Sequence, residues 1–192
     1  MSNTYIYDKT VTEDGEVIES EKVTKDAPKK QVFITNGTGG CGKDTFAEIL
    51  NKYVPTLKRS SIDRVKTIAR ECCWNGGKTE KDRKFLSDLK LLLTAYNDHP
   101  FVSISSCVDA FTYDPWTTVL LIDIREPEEI ERAKKSFNAK TILIKNDRVA
   151  PITSNMADAN VLNYEYDFVI ENNGTLEEFE ETIKKWAEEN VM

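Results

Sequence analysis

Nine consecutive residues, Gly37-Thr38-Gly39-Gly40-Cys41-Gly42-Lys43-Asp44-Thr45, carry the most specific chemistry in the chain. They follow an apolar run, Val32-Phe33-Ile34-Thr35, and open an amphipathic segment that begins Phe46-Ala47-Glu48-Ile49-Leu50. Strand, glycine loop and helix in that order make a phosphate cradle. Glycines let successive backbone N–H groups turn toward one polyphosphate, the helix N-terminus adds its positive dipole end, and Lys43 supplies a mobile cation. Gly37, Gly39, Gly40, Cys41, Gly42, Lys43, Asp44 and Thr45 are therefore the candidate ATP-binding residues. Asp44 stands where the common pattern has a magnesium-binding hydroxyl, with Thr45 displaced by one residue. A carboxylate is a hard oxygen ligand, so Asp44 can hold Mg²⁺ directly or through water. The other reading of Asp44 is a partner of the helix dipole alone.

Further charged residues lie where elements end. Asp123 closes the apolar run Val119-Leu120-Leu121-Ile122, and Arg125 follows two positions later, on the same side if strand geometry persists. Asp123 is the second candidate metal ligand and Arg125 a fork for a phosphate oxygen, unless the two only form a salt bridge with each other. Asp63, Lys66 and Arg83 are candidate acceptor-binding residues, each with a solvated helix charge as the alternative, and Arg64 and Lys90 are weaker candidates of the same kind. Arg148 opens a polar segment and is a candidate lid arginine over the transferred phosphate. His99, the only histidine, precedes Pro100 and is given no catalytic role.

The elements that must position these residues read as an α/β chain. Gln31–Asn36, Thr56–Ser61, Thr118–Ile124, Thr141–Ile144 and Asp167–Ile170 are expected strands. The runs Val119–Ile122 and Thr141–Ile144 have the continuous apolar character of strands buried on both faces of a parallel sheet. Ile62–Trp74 has helical spacing and stops before Asn75-Gly76-Gly77. Thr79 and Asp82 form a plausible N-cap pair for a helix whose apolar set is Phe85, Leu86, Leu89, Leu92, Leu93 and Tyr96, with Arg83 and Lys90 on its other face. Phe101–Phe111 fits helix better than strand. Pro127 sits at another helix start, with Glu128 and Glu129 in its first turn and Lys134 and Lys135 near its end. Thr175 caps the last helix through Glu178.

Five strands alternating with helices predict a three-layer sandwich around a parallel sheet, with ligands gathered at the strand C-terminal ends. Residues 1–30 are expected to be a β-hairpin turning at Asp14-Gly15 plus a linker, and residues 31–192 one domain whose lid spans about 146–164. The chain has 192 residues, 26 basic and 33 acidic, so its net charge of −7 argues against a general nucleic-acid or anionic-membrane binder. Neither a signal-like apolar stretch nor a spanning one is present, so a cytoplasmic location is expected. The four cysteines show no paired C-x-x-C spacing, and reduced thiols are expected. Cys41, inside the loop, is a thiol whose modification is expected to block nucleotide entry.

Three motifs together, Gly37 to Thr45, Asp123-Ile-Arg125 and Tyr166-Asp167-Phe168-Val169-Ile170-Glu171-Asn172-Asn173-Gly174, resemble the P-loop kinase group of phage deoxynucleoside monophosphate kinases and animal-type phosphomevalonate kinases. The resemblance spans roughly residues 31 to 190. It implies the P-loop NTPase fold and an ATP- and magnesium-dependent transferase passing a γ-phosphoryl group to a small phosphorylated acceptor. Lys43 would stabilise the β- and γ-phosphates, Arg125 would bind acceptor or transferred phosphate, and Arg148 would serve the lid. The lid departs from the family pattern, since Arg148 is its only arginine, and the N-terminal hairpin has no counterpart. That hairpin could cap the site, form a homodimer or be a stable appendage. A nucleoside monophosphate is the leading acceptor and phosphomevalonate the runner-up. A non-catalytic ATP-binding regulatory module is the reading from another class.

Overall fold

Runs such as Val119–Ile122 have no polar face to offer solvent, so they fold only where both faces are covered. The computed structural model, which describes residues 5–11, 17–23, 29–149 and 161–192, shows how they are covered. Two strands near the N-terminus, β1 (Tyr5–Val11) and β2 (Val17–Val23), pair antiparallel with Tyr5 opposite Val23 and Val11 opposite Val17. They form a two-stranded sheet of their own. The expected Asp14-Gly15 turn lies outside the described residues.

The main sheet is parallel. Its strands are β3 (Gln31–Asn36), β4 (Thr56–Ser60), β5 (Val119–Asp123), β6 (Lys140–Lys145) and β7 (Phe168–Glu171), in the order β4-β5-β3-β6-β7. Among the described residues there are six α-helices: α1 (Lys43–Tyr53), α2 (Asp63–Glu71), α3 (Glu80–Asn97), α4 (His99–Tyr113), α5 (Pro127–Phe137) and α6 (Leu176–Asn190). Strand β3, which leads into the glycine loop, is central, so the loop leaves from the middle of the sheet's C-terminal edge.

Two cores sandwich the sheet. One joins Phe33, Leu121 and Ile144 to Phe46 and Leu50 of α1 and to Phe179, Ile183 and Trp186 of α6. The other joins Ile34, Leu120 and Ile122 to Ile104 and Phe111 of α4 and to Ile130 and Ala133 of α5. Alternate residues of β5 thus serve opposite layers, as the pleat requires. Capping boxes expected at Thr79/Asp82 and Thr175/Glu178 are both formed.

Helix α3 departs from its sequence reading. Its apolar stripe does not meet the sheet, because the helix packs on α2 and α4; Leu92 is 66% and Tyr96 83% exposed. The one buried residue of α3 is Lys90, read from the sequence as belonging to the polar face. Its ammonium lies 2.8 Å from Glu126 and 2.8 Å from Glu129 at the start of α5. Two carboxylates explain the burial, since a lysine enters a protein interior only when paired.

Candidate active site

The glycine loop is held from three sides. Gly37 has φ +149°, and a Cβ there would stand 2.4 Å from the Ile144 carbonyl oxygen and 2.5 Å from the Cys41 sulfur, so only glycine fits. Gly42, at φ +106°, starts α1 without a side-chain cap, and a Cβ on it would stand 2.5 Å from Asn172 Nδ2. That amide instead donates to the Cys41 carbonyl at 2.9 Å, tying the loop to the end of β7. On the entry side, buried Asn36 accepts from the Gly37 N–H at 2.8 Å and donates to the Tyr166 hydroxyl at 2.8 Å and the Arg125 carbonyl at 3.2 Å. Burial pushes the Tyr166 phenol up to about 12. The first amides of α1, with no side-chain acceptor, are placed for an anion.

Lys43 folds back over this loop. Its ammonium donates to the Gly37 carbonyl at 2.5 Å and the Thr38 carbonyl at 3.2 Å, and a phosphate would draw it from those carbonyls as a stronger, charged acceptor. Cys41 is 1% exposed beneath the loop, and burial pushes its thiol up against the opposing pull of Lys43. Burial slows thiolate formation and reagent access together, so modification of this thiol requires the loop to open. Thr45 lies half-buried in the first turn of α1.

Beside the loop, two candidate metal ligands converge on one cation. Lys58 on β4 is paired with Asp44 and lies 3.0 Å from Asp123 Oδ2, while the other Asp123 oxygen accepts from the buried Thr35 hydroxyl. The sheet register explains the convergence. Thr35 and Ser60 pair with Asp123, and Lys58 pairs with Leu121. In-register parallel neighbours share a face, so all of these project on the α1 side, where Asp44 opens the helix. The hydrogen bond and charge of Lys58 hold the Asp44 carboxyl below its ordinary range. Burial alone would lower the Lys58 ammonium, but Asp123 and Asp44 outweigh it and hold the group above its ordinary value.

The pair fits a divalent ion that arrives with a nucleotide. Both carboxylates address one cation position, and Mg²⁺ typically takes one or two carboxylates plus phosphates and water. Among the described residues no group of three or more His, Cys, Asp or Glu side chains could hold a metal by itself.

The remaining candidates divide. Strand β5 ends at Asp123, so Arg125 begins the turn into α5 and is half-buried, its carbonyl bonded to Asn36. Asp63 accepts from the Ser60 N–H at 2.8 Å and so shapes the β4–α2 turn. Lys66, one helical turn along α2, is near enough to Asp44 to help hold its carboxyl down. Arg83 is exposed on α3, its Nε donating to the Lys78 carbonyl at 3.1 Å. Arg148 donates to the carbonyls of Asn172 at 3.3 Å and Gly174 at 2.9 Å, and Asp147 and Asn173 bond to each other twice beside it. Arg148 thus joins the ends of β6 and β7 on the far side of the loop from Lys58. Residues 150–160 of the expected lid lie outside the described residues. Lys58, Asn36, Thr35 and Asn172 were missed by sequence reasoning. Asn36 was the findable one, as a polar residue ending an apolar strand against the loop.

No protein-family model and no curated relative matches the chain. Among solved structures it is similar to a dephospho-CoA kinase from Campylobacter jejuni, with 19% identity over 83% of this chain and 97% of that one and a TM-score of 0.46. It is also similar to a thymidylate kinase from Candida albicans, with 13% identity over 84% and 92% and a TM-score of 0.44. A shikimate kinase from Aquifex aeolicus is 15% identical over 83% and 98%, with a TM-score of 0.42. The chain's own strand order and glycine loop define it as an α/β protein with a five-stranded parallel sheet whose central strand leads into the glycine loop.

Proposed function

We propose that this chain is an ATP-dependent small-molecule kinase that passes the γ-phosphoryl group to a phosphorylated acceptor, a nucleoside monophosphate. The observation that carries the reading is the convergence of Lys43, Lys58, Lys66, Asp44 and Asp123 at one end of the sheet, beside the glycine loop. Phosphoryl transfer needs little covalent help from a protein and much positioning and charge neutralisation, which is what such a set provides. Lys43 leaves the loop carbonyls for the outer phosphates. Asp44 and Asp123 hold the metal position, and a bound Mg²⁺ would neutralise charge developing on the phosphates. Thr35 fixes the carboxylate of Asp123 in place.

The acceptor side supports a nucleotide over phosphomevalonate. A cavity of about 60 Å³ opens beyond the ends of β4 and β5, lined by Ser61, Pro100, Phe101, Ile104, Ile124 and Arg132. Its floor is apolar, and the Arg132 guanidinium lies 3.6 Å over the Phe101 ring. Asp98 and Glu129 also line it, so Arg132 is its only basic residue, and a small polyanion would ask for more. Arg125 follows Ile124, which lines this cavity, and its carbonyl accepts from Asn36 beside the loop, so it is the residue proposed to meet the acceptor's phosphate.

The test is a coupled assay of ADP formation with ATP, Mg²⁺ and a panel of nucleoside monophosphates and phosphomevalonate. Stimulation by a monophosphate, abolished in Lys43→Ala, is the expected result. Tight ATP binding with no acceptor stimulating turnover would favour the regulatory-module reading instead.

A further inference from the structure

Among the cations beside the loop, Lys58 is the one paired with both carboxylates. It reaches from β4 to two carboxylates on different elements, Asp44 on α1 and Asp123 on β5, and is 24% exposed. Oxygens that both touch one nitrogen are less than about 6 Å apart, twice a hydrogen-bond length. A divalent ion bridging Asp44 and Asp123 would therefore have to take the place of this ammonium. Without Lys58, two carboxylates would face each other beside a loop built for phosphates, and that like-charge contact is unfavourable.

We propose that Lys58 is a resident counter-ion: in the nucleotide-free protein its ammonium holds the divalent-cation position between Asp44 and Asp123 and is displaced when metal arrives. The inference rests on the kinase reading for the metal's purpose, but its geometry stands on the three side chains alone. Lys58 acts through the two carboxylates and is a positioning residue. Its four-carbon stem lets the ammonium swing away while β4 stays paired with β5, so exchange needs no backbone movement. Two consequences follow for the aspartate-bearing loop. The free protein keeps the carboxylates partly compensated and aligned, and it discourages a divalent ion from settling there before the nucleotide supplies phosphate ligands. The metal then enters as part of the nucleotide complex, which adds the oxygens that two carboxylates lack.

Titration of the full chain with Mn²⁺ alone, followed by the electron paramagnetic resonance signal of the free ion, tests this without turnover. Lys58→Met is expected to bind Mn²⁺ about tenfold more tightly than wild type, because two unopposed carboxylates become available. Lys58→Arg should stay weak, and Asp44→Asn in the Lys58→Met background should lose the gain. Equal Mn²⁺ affinity in wild type and Lys58→Met would overturn the proposal. Should Lys58→Met fail to fold, wild type supplies a second measurement, the acylation rate of each lysine read by peptide mass. Saturating Mn²⁺ should speed modification of Lys58 at least about threefold while leaving exposed Lys84 unchanged, as release from two ion pairs requires. An unchanged Lys58 rate would equally overturn it. ATP binding measured separately distinguishes the failures. Loss of that binding sinks the kinase reading, whereas intact ATP binding without a Mn²⁺ gain sinks only the role of Lys58.

Discussion

Gly37 shows how tightly the loop is specified at single residues. Its missing Cβ makes room for the Ile144 carbonyl and the Cys41 sulfur, whereas a Cβ on Gly40 would meet only Val149, at 4.0 Å. Gly37→Ala should cost about 2–3 kcal/mol in a denaturant titration and weaken nucleotide binding, while Gly40→Ala should cost roughly 1 kcal/mol. Thiol reactivity offers a second check at this scale. Cys72 and Cys73 are exposed and Cys41 is buried, so a disulfide reagent should titrate the first two rapidly in the native protein. Cys41 should react only on unfolding, with its raised thiol value as one cause and exclusion of the reagent as the other. Rapid labelling of Cys41 would mean the loop opens far more readily than its buttresses at Asn36 and Asn172 imply.

Between elements, charged residues take on joining roles. Asp167, just before β7, accepts from the Thr141 N–H at 2.8 Å and hydroxyl at 2.9 Å and pairs with Lys134 of α5. Burial pushes its carboxyl up, but Lys134 and Thr141 outweigh that and hold it below the ordinary value. A depressed carboxyl contributes stability above its unfolded value, near 4, and that contribution is lost as pH falls through the folded value. Asp167→Asn should therefore cost about 1–3 kcal/mol at pH 7 by denaturant titration. Its deficit relative to wild type should shrink below about pH 4. Lys90 plays the corresponding part between α3 and α5. Truncation to Met strands Glu126 and Glu129 side by side, and a loss of roughly 1–3 kcal/mol is expected, smaller than for a fully buried pair because both carboxylates keep some solvent. Since Lys90 ties α3 to the start of α5, the same variant should raise hydrogen exchange in α3 more than in α1.

The whole molecule depends on α6 closing the sheet. Trp186 packs edge-on to Phe33 at 5.2 Å and Phe168 at 5.6 Å, and against Phe46 at 5.8 Å between ring centres. One ring thus joins β3, β7, α1 and α6. Trp186→Ala should cost about 3–5 kcal/mol by chemical denaturation. Trp186→Phe should cost much less, because it keeps most of the packing and removes an indole N–H that is buried with no partner among the described residues. A comparable loss in both variants would place the importance of Trp186 in its indole rather than in aromatic packing. No helix among the described residues is long and apolar enough to cross a membrane.

What the sequence determined by itself were features written in near neighbours. Apolar runs marked β5 and β6, Thr79/Asp82 and Thr175/Glu178 marked helix starts, and the Gly37–Thr45 spacing marked the glycine loop with its aspartate, because each signal is complete within a few residues. Tertiary structure alone decided what Asp44 and Asp123 face. Lys58 is 14 residues from Asp44 and meets Asp123 only through the β4–β5 register. A lysine in a short strand carries no mark of its partner. Separation in sequence also hid the pairing of Lys90 with Glu126 and Glu129, and made the apolar stripe of α3 look like a core face. Periodicity reports that a helix has two faces, whereas the packing of its neighbours decides which of them is covered.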